Sequence, residues 1–230
     1  MSRVKPTDLD KPWAARRQLK RDTTIIRQVR SIFLIFCEGR NTEPEYFKSF
    51  PVNTETQIQA IGLGKSRTSL VKHVIEIATN KELLKGQKYH DTDRQIWCVF
   101  DMDTKGDKGE DDDFDNAIKL AEMSGLRVAY SNDSFELWFL LHDKYLESRL
   151  RRSQYYEYLS GTLQVDYIKH GKNLKFCKAL YALFADRQHI AIKNAERLVK
   201  SHYHEARYSR KNPCTTVHEL VIQLNTCLKT

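Results

Sequence analysis

The sequence predicts an α/β fold in which a mostly parallel sheet is flanked by helices and followed by a helical C-terminal portion. Two apolar runs, IFLIFC at residues 32–37 and IWCVF at 96–100, are typical of parallel strands that are buried on both faces. Segments with helical periodicity separate these runs from two shorter strand patterns. Strands that alternate with helices favour a parallel sheet, in which sites form beyond the carboxyl ends of the strands.

The predicted strands all fall in the first part of the chain. We place strands at about 32–37, 57–61, 95–100 and 126–130, and helices after residue 42, at about 66–84 and around 114–121. Thr42 and Glu45 have the spacing of a capping box, and Pro44 suits the first turn of the helix that they begin. Gly125 is suited to ending the third helix.

From about residue 135 onward the pattern is mostly helical. Helices are predicted at about 135–142, 174–184 and 190–208, and a second capping box, Thr216 with Glu219, predicts a last helix. No linker rich in Pro, Gly or Ser divides the chain. We therefore expect a basic N-terminal arm at 1–30 and one domain at 31–230, with a sheet portion at about 31–145 and a helical portion at about 146–230.

The positive charge is concentrated in the N-terminal arm. The chain carries a net charge of +8, and residues 1–30 alone contain nine Lys or Arg residues against three Asp residues. Such an arm can neutralise the phosphates of a nucleic acid, or it can be a solvated terminus. The sequence leaves both interpretations open.

Composition also bears on the compartment. No apolar run approaches the roughly 18 residues of a membrane span, and the N-terminus has no apolar signal core. The five cysteines are odd in number and widely spaced, which favours reduced thiols over a disulfide framework. We therefore expect a soluble cytoplasmic protein that does not contact a membrane.

Carboxylates follow the two strongest strand patterns. Glu38 comes directly after the first run, and Asp101 and Asp103 come directly after the third strand. The carboxyl ends of parallel strands share one edge of a sheet, so these side chains are expected to meet. Carboxylates that meet repel one another unless protons or a cation neutralise them. The pattern therefore predicts a site for a divalent cation with hard oxygen ligands, Mg²⁺ or Mn²⁺.

Four motifs carry a family resemblance. CEGRNTEPEYF, FDMD, SNDSFELWFLLH and NPCTTVHELV, in this order, resemble the RloB-like family. Its domain is similar to the Toprim fold, a Rossmann-like fold found in topoisomerases, primases and OLD-type nucleases. The resemblance implies a metal-binding α/β domain from a prokaryotic phage-defence or restriction-associated locus, with a partner ATPase of the AAA or ABC type.

The resemblance also assigns roles to residues. The Toprim glutamate corresponds to Glu38, the Asp-x-Asp pair to Asp101 and Asp103, and the glutamate of an OLD-type Ser-x-Glu to Glu136. OLD-type nucleases often carry an aspartate four residues after the first glutamate, where this chain has a threonine followed by Glu43. Glu43 is then either a metal ligand or a carboxylate placed in a first helical turn, where the helix dipole favours it.

This set of residues predicts a reaction. Two metal ions can activate a water, stabilise a phosphate and assist a leaving oxygen, which are the requirements of phosphodiester hydrolysis. We therefore expect a nuclease in which Glu38, Asp101, Asp103 and Glu136 are catalytic and Lys172 is a cation near the phosphate. The alternatives are a non-catalytic nucleic-acid-binding or regulatory subunit, and nucleotidyl or phosphoryl transfer on the same metal scaffold.

Basic residues predict where DNA or RNA, including transfer RNA, would bind. Arg40 lies in the first motif, and a stripe at spacings of three and four follows the helix predicted near 190–211. The stripe comprises Lys193, Arg197, Lys200, His204, Arg207 and Lys211. It is either a ridge that contacts a nucleic-acid backbone or an ordinary solvated face. The sequence does not decide between a monomer and a homo-oligomer.

Overall fold

A computed structural model describes residues 30–83, 94–102 and 109–229 of the chain. Almost all of the predicted basic arm, and Asp103, lie outside these residues. The strands are β1 (Ser31–Cys37), β2 (Thr56–Gly62), β3 (Arg94–Asp101), β4 (Arg127–Asn132) and β5 (Cys214–Thr215). The helices are α1 (Thr42–Lys48), α2 (Arg67–Asn80), α3 (Glu110–Met123), α4 (Glu136–Leu140), α5 (Arg152–Leu163), α6 (Tyr167–His170), α7 (Leu174–Phe184), α8 (Gln188–Ser201) and α9 (Val217–Asn225).

The strands form one mostly parallel sheet in the order β2-β1-β3-β4-β5. The first four strands are parallel, and β5 pairs antiparallel with β4. From β1 the chain moves outward to β2 and then crosses back to β3 on the other side of β1, so the strand order reverses between β1 and β3. Ligands of open α/β sheets bind at such a switch point, outside the carboxyl ends of the strands. Glu38 follows β1 and Asp101 ends β3, so both lie there.

Two hydrophobic cores cover the two faces of the sheet. Phe33 and Ile35 point to the core that contains α1 and the helices of the C-terminal portion. Leu34 and Phe36, the alternate residues of β1, point to the core formed with α2 and α3. Because side chains alternate along a strand and both faces are covered, such a strand is apolar over most of its length. The predicted α/β class and the apolar runs that indicated it are confirmed.

The structure corrects the predicted capping boxes. Helix α1 begins at Thr42, and neither Asn41 before it nor Thr216 before α9 makes a side-chain cap bond. The Thr42 hydroxyl instead donates to the carbonyl of Gly171, at 3.5 Å, and the Thr216 hydroxyl accepts from the backbone N–H of Tyr130, at 3.0 Å. Both hydroxyls therefore bond to distant parts of the chain rather than to the local helix.

Helix lengths and one strand also differ from prediction. Helix α2 ends at Asn80, and α8 spans Gln188–Ser201 rather than continuing to residue 208. Strand β5, with only two residues, comes from the portion that was predicted to be helical. All five cysteines are free, as predicted. None of the helices in the described ranges combines the length and apolar character that a bilayer crossing requires.

Candidate active site

A cavity of about 370 Å³ lies where the carboxyl ends of β1 and β3 meet the start of α4. Six residues that the sequence predicted to be functional line it: Glu38, Arg40, Glu43, Asp101, Glu136 and Lys172. The other lining residues are Gly39, Asn41, Thr42, Phe135, Arg152 and Tyr156. Four carboxylates therefore line one space: Glu38 and Asp101 at the strand ends, and Glu43 and Glu136 at the starts of two helices. Asp103 lies outside the described residues.

The backbone of the first two strand ends positions Glu38 and Asp101. The N–H of Glu38 donates to the carbonyl of Val99, at 2.9 Å, which continues the pairing of β1 with β3 by one residue. One carboxylate oxygen of Glu38 lies 3.4 Å from the N–H of Asp101 and accepts from it. The sheet itself thus holds these two acids side by side.

Glu43 enters the cavity from the first turn of α1. Its side chain is buried, and its carboxyl group lies directly over Gly39, where a Cβ would collide with it. A Cβ at Gly62 would collide in turn with the backbone of Gly39 and Arg40. Two glycines therefore let the loops after β1 and β2 pack closely and leave room for the Glu43 carboxyl group.

This close packing gives a testable result. For the Mg²⁺ site that the sequence predicts, we expect Gly39→Ala to weaken binding by about 10-fold, although it removes no carboxylate, because the new methyl group must displace the Glu43 carboxyl group. Gly161→Ala is the matched control: Gly161 lies within α5 and its added Cβ has open space. The control should keep the metal affinity and gain about 0.5–1 kcal/mol of stability. Titration calorimetry and thermal unfolding measure both effects, and an unchanged affinity in Gly39→Ala would contradict the geometry.

Glu136 is the first residue of α4 and is held by the helical portion of the chain. The hydroxyl of Tyr167 donates to a carboxylate oxygen of Glu136 at 3.4 Å. The Tyr156 ring lies 5.5 Å from the Tyr167 ring, centroid to centroid, and also lines the cavity. The helices after residue 145 therefore form one wall of the site.

Burial and neighbouring charges raise the pKa of two of these carboxyl groups, Glu43 and Asp101. Burial, reinforced by the charges of Glu136 and Glu38, raises the pKa of Glu43 to about 7. Burial and then the charges of Glu43, Glu136 and Glu38 raise the pKa of Asp101 well above its ordinary value, and Arg152 opposes the rise. The site therefore favours protons or a cation among its acids.

Three basic side chains line the same cavity: Arg40, Arg152 and Lys172. Arg40 lies against Gly64, whose φ is +63° and where a Cβ would be 2.7 Å from the Arg40 Nε atom. The backbone carbonyl of Lys172 accepts from the Asn41 side chain at 2.9 Å, which docks the loop before α7 onto the loop after β1. The cavity thus contains both carboxylates, which can bind a cation, and positively charged side chains, which can bind a phosphate.

The chemistry of the donor set fits a hard divalent cation. Carboxylate oxygens are ligands that Mg²⁺ prefers, and Mg²⁺ typically uses one or two of them together with water and substrate phosphates rather than a closed protein cage. Within the described ranges, no group of three or more His, Cys, Asp or Glu side chains is placed so that it could hold a metal ion by itself. A cation here would therefore take one or two ligands from the carboxylates that line the cavity, Glu38, Glu43, Asp101 and Glu136, and complete its shell with water or phosphate oxygens.

The predicted basic stripe is divided by the structure. Lys193, Arg197 and Lys200 lie on α8 and line a separate shallow hollow, not the acidic cavity. Arg197 lies over the Tyr145 ring at 3.8 Å and pairs with Glu147 at 3.4 Å.

The rest of the stripe prediction is wrong. His204, Arg207 and Lys211 follow the end of α8, so they do not continue its face. The Arg207 guanidinium instead donates to the buried carboxylate of Asp115 at 2.8 Å. The chain turns away after Ser201, and this pair anchors the following segment to α3.

The sequence reasoning missed Arg152, Tyr156 and Tyr167. None of them follows a strand, and the strand-end argument therefore does not reach them. Arg152 and Tyr156 are separated by four residues on α5, which places them on one helix face and is the only local signal that they act together.

Comparison with known proteins identifies a family. No curated protein and no solved structure matches the chain. A family model described as RloB-like protein matches residues 33–224, a range that contains the residues lining the acidic cavity and all of the sheet except the first two residues of β1. The chain belongs to the RloB-like family.

Proposed function

We propose that this chain is a divalent-metal-dependent, Toprim-like nuclease that acts in prokaryotic anti-phage defence together with a partner ATPase. One observation carries the proposal: Glu38, Glu43, Asp101 and Glu136 line a single cavity at the switch point of the sheet. Burial and the neighbouring acids raise the pKa of Glu43 and of Asp101, and a fold has little reason to keep such a cluster except to bind a cation.

The cavity supplies the groups that phosphodiester hydrolysis requires. Mg²⁺ or Mn²⁺ bound there would supply Lewis-acid stabilisation of the phosphate and an activated water. Glu38 and Asp101, fixed by the sheet, would hold the ion, and Glu136 is held in place by Tyr167. Arg40 and Lys172 line the same cavity and neutralise charge that develops on the phosphate.

A longer nucleic acid needs contacts beyond this cavity. Lys193, Arg197 and Lys200 present a basic face on α8, and the N-terminal arm carries further positive charge. Both suit the backbone of DNA or RNA, because phosphate contacts are electrostatic and independent of sequence. They are proposed as accessory contacts, outside the reacting centre.

The test is a cleavage assay with the purified chain. Plasmid DNA, single-stranded DNA and transfer RNA are incubated with Mg²⁺, with Mn²⁺ or with a chelator, and a Glu38→Gln variant is prepared in parallel to detect contaminating nuclease. We expect wild type to cut at least one substrate only when metal is present, and the variant to be at least 100-fold slower. If wild type cuts nothing, and both proteins affect cells alike when expressed with the partner ATPase, the nuclease proposal fails and a regulatory subunit replaces it.

A further inference from the structure

The guanidinium group of Arg152 lies at the wall of the acidic cavity. Arg152 is the first residue of α5, and its Nη2 atom lies 3.7 Å from a carboxylate oxygen of Asp101. Asp101 is largely buried there, with 13% of its side chain exposed, whereas 35% of the Arg152 side chain is exposed. The pair therefore has one fixed member, on a central strand, and one that reaches the cavity from a helix and retains contact with solvent.

Packing fixes the helix that carries this guanidinium. Tyr155 and Leu159 are fully buried in the core and anchor α5. The Gln154 side chain accepts from the Arg151 N–H at 2.8 Å and secures the helix start. Because the backbone of Arg152 is held at the cavity wall, its side chain can change partner without leaving the site.

The guanidinium and a bound metal ion would compete for the same carboxylate. The charge of Arg152 partly offsets the negative charge around Asp101. A divalent cation that took the Asp101 oxygens would weaken this pairing, because a carboxylate held by a metal ion attracts a cationic neighbour less. The released guanidinium has a planar fork of donors that matches the oxygens of a phosphate, which a lysine ammonium cannot match.

We propose that Arg152 exchanges partners: it pairs with Asp101 in the metal-free protein and binds a phosphate of the nucleic-acid strand once a divalent cation occupies Asp101. This inference rests on the proposed metal-dependent function and adds a phosphate-binding residue to it. It also assigns Arg152 a second task, which is to neutralise the acids before the cation arrives.

The exchange predicts two effects of opposite sign. Without the guanidinium the cavity is more negative. The electrostatic attraction to a divalent cation then increases about twice as much as the attraction to a competing proton, because the cation carries twice the charge. Metal binding should therefore tighten. The same change removes a phosphate contact, so nucleic-acid binding should weaken. A residue that only supports the fold would weaken both or neither.

The experiment compares Arg152→Gln with wild type in two binding assays at pH 8. Mn²⁺ is titrated by calorimetry in the absence of nucleic acid, and a labelled single-stranded DNA 20-mer is titrated by fluorescence anisotropy with Ca²⁺ as the metal. We expect Mn²⁺ affinity to rise about 5-fold and DNA affinity to fall about 10-fold. Arg151→Gln, which removes an exposed neighbouring charge outside the cavity, should change each affinity less than 2-fold.

A conservative variant separates charge from shape. Arg152→Lys should bind Mn²⁺ like wild type because it keeps the positive charge, yet bind the DNA several-fold more weakly because it lacks the fork. Thermal unfolding of Arg152→Gln and Arg152→Lys shows whether each variant folds. If Arg152→Gln does not fold, Arg152→Lys still tests the phosphate contact.

Either of two results would overturn the inference. One is that Arg152→Gln binds Mn²⁺ no more tightly than wild type, and the other is that the Arg152 variants bind the DNA with wild-type affinity. Absence of Mn²⁺ binding by wild type would overturn both the inference and the proposed metal centre. If wild type binds Mn²⁺ and DNA but never cuts, the nuclease proposal fails while the partner exchange stands, because neither assay depends on cleavage.

Discussion

Replacing Asp101 by asparagine is expected to lower the rate of metal-dependent strand cleavage by about 10³-fold. Asparagine has the same shape and remains at the end of β3, next to Glu38, but it carries no charge for the cation. Loss of one charged ligand from a site that stabilises a transition state is worth several kcal/mol, and about 4 kcal/mol corresponds to this factor.

The matched control for this variant is Asp111→Asn. Asp111 is exposed in the first turn of α3, away from the residues that line the cavity. Single-turnover cleavage at saturating Mg²⁺ measures the chemical step for both variants, and the control should keep the wild-type rate. Cleavage by Asp101→Asn within 10-fold of wild type would mean that the strand-end acids do not form the reacting centre.

The meeting of Glu38 and Asp101 at one edge of the sheet has a physical cause. A central parallel strand is buried on both faces, so its run of apolar residues ends only where the chain leaves the core. In this chain the runs end at Glu38 and Asp101, and the strand order β2-β1-β3 brings these two ends together at the switch point. The position of two catalytic candidates was therefore readable from apolar runs alone.

The residues on the opposite wall of the cavity could not be predicted from apolar runs. Arg152 belongs to a segment that also contains Arg149 and Arg151, and no local pattern distinguishes the one that enters the site. Its position depends on how α5 packs against α4 and α6, and this tertiary packing is not visible in the local sequence pattern. Tertiary packing likewise overrode the capping boxes, because the hydroxyls of Thr42 and Thr216 found partners in other elements.

Glu43→Gln is expected to stabilise the metal-free protein at pH 8 by about 3 kcal/mol. The pKa of Glu43 is raised from 4.5 to about 7 in the folded protein, and each unit of difference is worth about 1.4 kcal/mol. Because the folded pKa lies above the unfolded one, the folded state is penalised when the carboxyl group ionises. The penalty is absent below about pH 4.5, grows as the pH rises through about 7, and then stays constant.

Glutamine removes this penalty because it keeps the shape of the side chain without the charge. The two proteins should be equally stable at pH 4 and should diverge as the pH rises to 8. Chemical denaturation at several pH values measures the divergence, and Glu157→Gln, an exposed change on α5, is the control that should follow wild type throughout. Parallel stability curves for wild type and Glu43→Gln would show that Glu43 is not held ionised against its environment.

Metal should stabilise wild type more than Glu43→Gln. A bound divalent cation stabilises the folded state in proportion to its affinity for it, and that affinity depends on the charges that Glu43 shares with Glu38, Asp101 and Glu136. With saturating Mg²⁺ at pH 8, wild type should therefore gain more stability than Glu43→Gln, although it is the less stable protein without metal. An equal gain in stability in both proteins would mean that Glu43 is not a metal ligand. Its carboxyl group would then only interact favourably with the helix dipole in the first turn of α1.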